Sequence, residues 1–237
     1  MDKGTLYIVA TPIGNREDVT IRALKILFSV PVIACEDTRR TGLLLSGYRT
    51  EEPYLSITRS FDSNPKPKLI SFYDEVEEQK IPEIIELLQS GNDVALVSDA
   101  GTPLISDPGF KLVRECYRQN ISVSPIPGPS SITAALSASG LPTDRFLFIG
   151  YLPKKKGKRE KLISQIKELK DSELVKTIVV LETPHHINQT LGELDAAFPE
   201  LTVCIANELT KMFEKIIISS LPYPIKNPQG EYVVIIA

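Results

Sequence analysis

Short aliphatic, β-branched runs alternate with helical patterns along the first half of this chain, and that rhythm restricts the fold more than any single motif does. LYIVA (6–10), VIAC (32–35), LISF (69–72), VALVS (94–98) and ISVSPI (121–126) have strand length, with helices expected over about 20–29, 38–46 and 109–119. IPEIIELLQSG (81–91) reads as a further helix that opens at Pro82, a first-turn position proline tolerates, and stops at Gly91. Strands separated in this way need crossover connections, which predicts a mostly parallel sheet with helices on both faces.

After PIPGP (125–129) the pattern loosens. A helix is expected over 130–139, then the strand FLFIGYL (146–152), a helix in KREKLISQIKELK, the strand KTIVVLE (176–182), a helix in HHINQTLGELDAAF and the strand LTVCIANE (201–208). FEKIIISS (213–220) and EYVVIIA (231–237) follow with no helix between them, so they are expected to pair antiparallel with each other. Two α/β domains result, residues 1–125 with a mostly parallel sheet and 126–237 with a mixed one. A chain of 237 residues that is 42% hydrophobic and 24% charged is long enough for both cores.

No apolar stretch approaches the ~20 residues that span a bilayer, and MDKGTLYIVATPIGN lacks the regions of a signal peptide. A soluble, cytoplasmic protein is expected. Cys35, Cys116 and Cys204 share no metal-ligand spacing and are expected as buried free thiols; no metal site is predicted. A net charge of −3 gives no global sign of nucleic-acid binding. The charge is unevenly spread, however, with acids crowded into 74–86 and bases into 151–161. Lysines punctuated by a glycine in KKKGKREK suit either a solvated loop or an arm that contacts phosphates.

Neither GxGxxG after the first strand nor GxxxxGK[ST] occurs, which disfavours a dinucleotide fold and a P-loop NTPase. Instead, three loops rich in turn residues follow predicted strands: TPIGNRED (11–18), EDTRRTG (36–42) and SDAGTPLISDPG (98–109). Ligands of open parallel sheets bind beyond the carboxyl ends of the strands, so all three loops are candidates for one crevice. The same residue types serve ordinary turns, and EDTRR also suits surface ion pairs. SDAGTPLISDPG is longer than the usual two to six residues of such a connection. PIPGPSSITAALSASG (125–140) then opens a helix with almost no bulky side chain, suited to close approach by another helix or by a ligand.

LYIVATPIGN, ACEDTRRTGLLL, ALVSDAGTPLISDPG, PIPGPSS, GLPTDRFLFIGYLP and ELTKMFE resemble, in order and spacing, the ribosomal RNA small subunit methyltransferase I family, part of the wider group of tetrapyrrole methylases. The resemblance covers nearly the whole chain. It implies a tetrapyrrole methylase-like fold of two α/β domains with S-adenosylmethionine in the cleft between them, commonly as a homodimer. The implied reaction is methylation of the ribose 2′-hydroxyl of a cytidine in small-subunit (16S) ribosomal RNA, free or in the assembled subunit. By the same resemblance the cofactor-binding positions are Pro12, Ser98, Asp99, Ala100, Ser130, Ser131, Leu181, Glu182, Ala206 and Asn207. The family's usual arginines are replaced by His186 and Asn207.

Methyl transfer to a hydroxyl is an in-line displacement dominated by alignment. A ribose hydroxyl is a poor acid, so a positioned carboxylate that accepts its proton adds about 100-fold or more. Asp37, Glu182 and Asp99 are the candidates for this base, in that order, with Asp99 better suited to the cationic donor. Arg39, Arg40, Lys154, Lys155, Lys156, Lys158 and Arg159 are the candidate RNA contacts. The competing readings are a small-molecule methylase of the tetrapyrrole type and an idle RNA-binding relative.

Overall fold

The computed structural model describes residues 2–199 and 201–237. The chain divides into two compact units, Met1–Ser130 and Ser131–Ala237. The first contains β1 (Thr5–Val9), α1 (Ile21–Ser29), β2 (Val32–Cys35), α2 (Thr38–Thr50), the single turn α3 (Leu55–Thr58), β3 (Lys68–Ser71), α4 (Glu77–Gln89), β4 (Val94–Val97), α5 (Phe110–Arg118) and β5 (Ser122–Ile126). Its five strands are all parallel, in the order β3-β2-β4-β1-β5.

The strand sequences explain the layering. VIAC and VALV are apolar at every position and every residue is buried, as a sheet covered on both faces requires. Their side chains alternate between two cores. Ile33, Cys35, Ala95 and Val97 pack with Leu24, Leu27 and Phe28 of α1 and Tyr48 of α2. Val32, Ala34, Val94 and Leu96 pack with Ile84, Ile85 and Leu88 of α4 and Leu112 of α5. Burial of each such Leu or Ile contributes about 1.5–3 kcal/mol, so the two faces hold the scaffold while the loops at the strand ends are free for other work.

Pro82 lies inside α4, which starts at Glu77 and not at Pro82. Glu77 and Glu78 fill the first turn, where acids suit the helix dipole. Both also bind Lys111 of α5, Glu77 Oε2 at 3.4 Å and Glu78 Oε1 at 2.7 Å from Nζ. These anchors carry the helix N-terminus past the proline, at the cost of the hydrogen bond its missing N–H would have made.

The second unit contains α6 (Ser131–Ala138), β6 (Phe146–Tyr151), α7 (Lys156–Asp171), β7 (Thr177–Glu182), α8 (Ile187–Ala197), β8 (Thr202–Asn207), β9 (Lys215–Ser220) and β10 (Tyr232–Ile236). Its sheet is mixed, in the order β6-β7-β10-β8-β9, with β6 and β7 parallel and the other neighbouring pairs antiparallel among the described residues. The expected pairing of β9 with β10 does not form. YVVII is buried at every position and occupies the centre, between β7 and β8, whereas KIIISS alternates with exposed residues and takes the edge beside β8.

Isoleucines of α7 and leucines of α8 cover the face carrying Ile178, Val180, Ile205 and Val234, and α6 runs beside β10. All three cysteines are buried and free. Among the described residues, no helix is long and apolar enough to cross a membrane.

Candidate functional site

The first sheet has a point at which the chain leaves neighbouring strands toward opposite faces. From β1 it runs to α1 on one face, and from the adjacent β4 it runs to α5 on the other. A crevice forms at the carboxyl ends of such strands. The three loops singled out by sequence meet there. Thr11 and Gly101 exchange backbone hydrogen bonds of 2.9 and 3.0 Å, and the buried Thr11 hydroxyl donates to the Ser98 carbonyl at 3.2 Å. Asp37 N–H donates to Asp99 Oδ1 at 3.3 Å, and Asp99 N–H donates to Glu36 Oε2 at 3.4 Å. The Thr102 hydroxyl donates to the Pro129 carbonyl at 3.0 Å, tying the segment that follows β5 to the same place.

The twelve residues from Ser98 to Gly109 are held at both ends. Gly101 (φ 82°) makes the bridge to Thr11, and a Cβ there would lie 3.2 Å from Ile13 Cγ2. Gly109 (φ 132°) lies so close to Leu96 that a Cβ would approach its Cδ2 to 2.7 Å, and its N–H donates to the buried Glu77 Oε1 at 2.9 Å. Between them Leu104 (φ 72°) and Ser106 (φ 67°) take left-handed backbone conformations that cost non-glycine residues about 1–3 kcal/mol each. A conformation this strained is kept because anchors such as Glu77 over-determine it.

The electrostatics of this mouth are those of crowded carboxylates. Burial, reinforced by the charges of Asp107, Asp99 and Asp74, pushes Glu36 up to about 7. Burial also lifts Asp107 to about 6, with Asp99 and Asp74 adding and the Ser98 hydroxyl opposing. Asp37 behaves in the opposite way. Hydrogen bonds from the Arg39 side chain and from the Arg39 and Arg40 backbone hold it well below the usual carboxylate range. It is the N-cap of α2, and its Oδ2 lies 2.8 Å from Arg39 Nη2. Arg40, largely exposed, places Nη1 3.0 Å from Asp99 Oδ2.

Of the sequence-predicted residues, Pro12, Ser98, Asp99, Ala100 and Asp37 are therefore gathered at these strand ends, with Arg39 and Arg40 on the adjoining helix start. Ser130 ends the first unit and Ser131 opens α6. The second-unit candidates divide between the two faces of their sheet. Glu182 and Asn207 flank Tyr232 in one row, and Leu181 and Ala206 flank Val233 in the next, so they point to opposite sides.

Glu182 is buried and fully engaged. Oε1 accepts the Thr183 N–H at 2.8 Å, Oε2 accepts the Thr190 hydroxyl, and Arg159 Nη2 lies 3.9 Å away. Lys154, Lys155, Lys156 and Lys158 are exposed. Arg159, grouped with them as an RNA contact, is instead 4% exposed, its guanidinium bound to Glu193 and to the Thr190 hydroxyl. Glu36, Asp107 and Glu77 were not among the predicted residues.

Residues 5–223 match the model of the Tetrapyrrole (Corrin/Porphyrin) Methylases. Over 239 residues the chain is 41% identical to a Ribosomal RNA small subunit methyltransferase I of Thermotoga maritima, a match covering 99% of this chain and 98% of that one. It belongs to this family. A methyltransferase I of the same name from Escherichia coli O157:H7 is 44% identical over 90% of this chain and 68% of its own length. Among solved structures, uroporphyrin-III C-methyl transferase from Thermus thermophilus, complexed with S-adenosylhomocysteine, is 19% identical with a TM-score of 0.60, covering 98% of this chain and 97% of that one. At that identity the likeness confirms the tetrapyrrole methylase fold.

Proposed function

We propose that this protein transfers a methyl group from S-adenosylmethionine to the ribose 2′-hydroxyl of a cytidine in small-subunit ribosomal RNA. The observation that carries this reading is the end-to-end match to relatives named Ribosomal RNA small subunit methyltransferase I. When bound, S-adenosylmethionine supplies a methyl carbon made electrophilic by its sulfonium. The residues at the first unit's strand ends fit such a cation: Glu36 and Asp107 are each raised in part by the negative charge around them, which a positive ligand relieves. Pro12, Ser98, Asp99 and Ala100 would hold it. The Ser98–Gly109 loop, already fixed by Glu77 and Thr11, does not have to be ordered on binding.

Glu36 is the better general base than Asp37 or Glu182. A base acts best with a pKa near the working pH, and Glu36 sits at about 7. Asp37 is too weakly basic, its lone pairs committed to α2 and Arg39. Glu182 has both oxygens occupied by hydrogen bonds. Glu36 therefore takes the proton from the hydroxyl as the oxygen attacks, while Asp99, facing it through its own N–H, serves the donor.

Incubation with labelled S-adenosylmethionine and either small ribosomal subunits, their naked RNA or a porphyrin precursor separates the alternatives. Label is expected in the RNA, located by mass spectrometry on a cytidine ribose. Label in the porphyrin precursor alone contradicts the substrate, and RNA binding with no transfer contradicts the reaction.

A further inference from the structure

The second unit holds a crevice of its own, of about 340 Å³, at the carboxyl ends of its parallel pair, β6 and β7. Tyr151 and Leu152, at the end of β6, form an apolar wall, and Lys154, Arg159, His186 and Gln189 bring polar groups to it, together with Thr183 and a Glu182 carboxylate already engaged by Thr183 N–H, the Thr190 hydroxyl and Arg159. Two helices begin here, α7 with Lys155 as its N-cap and α8 with His186, and neither N-cap side chain makes a capping hydrogen bond. Neither has an acid in its first turn.

The start of α7 runs against what helix stability favours. Helix N-termini carry partial positive charge and prefer acids, yet Lys155, Lys156 and Lys158 crowd this one, and among the described residues the carboxylate that opposes them is Glu160, 3.9 Å from Lys156 Nζ. Arg159 is not part of that excess, because Glu182 and Glu193 offset it. It holds the crevice floor rigid by linking α7 to α8. A local rule broken without a local gain marks a functional position, and an anion at the helix start removes the conflict. The wall beside it supplies an aromatic ring, Tyr151, which is 52% exposed. Phosphate-binding groups next to an exposed ring are what recognition of a single unstacked nucleotide uses.

We infer that this crevice takes up one unstacked nucleotide of the RNA, its phosphate at the starts of α7 and α8 beside Lys154 and its base against Tyr151 and Leu152. The inference rests on RNA being the substrate, as proposed above, and adds where one of its nucleotides is held.

Two measurements test it. Titration with cytidine 5′-monophosphate and with inorganic phosphate, followed by NMR, is expected to move the Tyr151 ring signals with the nucleotide and not with phosphate. In methyl transfer to small-subunit RNA, Tyr151→Ala is expected to raise KM about tenfold or more with kcat and S-adenosylmethionine affinity unchanged. Lys154→Ala is expected to lower the salt slope of RNA binding by about one. Equal response to phosphate and nucleotide, or an unchanged KM in Tyr151→Ala, overturns the inference while leaving the methyltransferase reading intact. If RNA is not methylated by the unaltered protein, that reading fails instead, and the nucleotide titration still decides what the crevice binds.

Discussion

Replacing Glu36 by glutamine is expected to cut the rate of RNA methylation about 100-fold or more at saturating S-adenosylmethionine, whose affinity should itself weaken about tenfold as the Glu36 charge is lost. In the unaltered enzyme Glu36 has to lose its proton before it can accept another. Its pKa is pushed up to about 7 in the free protein and falls when the cationic donor binds, so the single-turnover rate should fall about tenfold per pH unit below a point under 7 and level off above it. The glutamine variant should lose this step. Burial raises Glu36 most, and the charges of Asp107, Asp99 and Asp74 add to it, so removing Asp107 should move the step to lower pH. Asp37→Asn should behave differently, loosening the start of α2 and its link to Arg39 with little change in the pH profile. Single-turnover transfer of labelled methyl across pH 5 to 9 reads all of these; an unchanged profile in Glu36→Gln would remove Glu36 as the base.

Truncation of Glu182 to alanine should act on stability. It leaves the buried Arg159 with Glu193 as its remaining carboxylate partner, and it strips partners from the Thr190 hydroxyl and the Thr183 N–H. Breaking a buried pair from one side costs about 3 kcal/mol or more, a fall of roughly 12 °C or more in Tm for a unit of this size. Thermal unfolding followed by circular dichroism measures it. A variant that melts like the parent but transfers no methyl would return Glu182 to the role of base.

The first sheet was legible because its strands are buried on both faces and read as unbroken apolar runs, and because its three unusual loops could be seen from length and turn chemistry. Pairing in the second sheet was not. FEKIIISS and EYVVIIA are adjacent in sequence, and only their burial patterns, alternating in one and continuous in the other, separate an edge strand from a central one. Pro82 misled because an acidic helix start is carried past it by contacts with Lys111, distant in sequence.

In the site, Glu36 looked like any charge in EDTRR. The available signal was its place directly after VIAC, the first polar residue beyond a fully buried strand. Arg159 disappeared into a run of lysines, although its spacing with Ile163 and Ile166, four and seven residues on, puts it on the buried face of α7. Its partners lie on β7 and α8, more than twenty residues away, and no local pattern names them.

The central claim is that carboxylates at the strand ends of the first unit hold a cationic methyl donor. Calorimetry with S-adenosylmethionine and with S-adenosylhomocysteine from pH 5.5 to 8 isolates that charge, because the two differ by one methyl and the sulfonium it creates. As Asp107 ionises near 6 and Glu36 near 7, preference for S-adenosylmethionine should rise with pH. One added charge roughly 10 Å away, at an effective dielectric of about 20, contributes about 1.7 kcal/mol, or more than tenfold in affinity ratio. An affinity ratio that stays flat over this range would contradict the account.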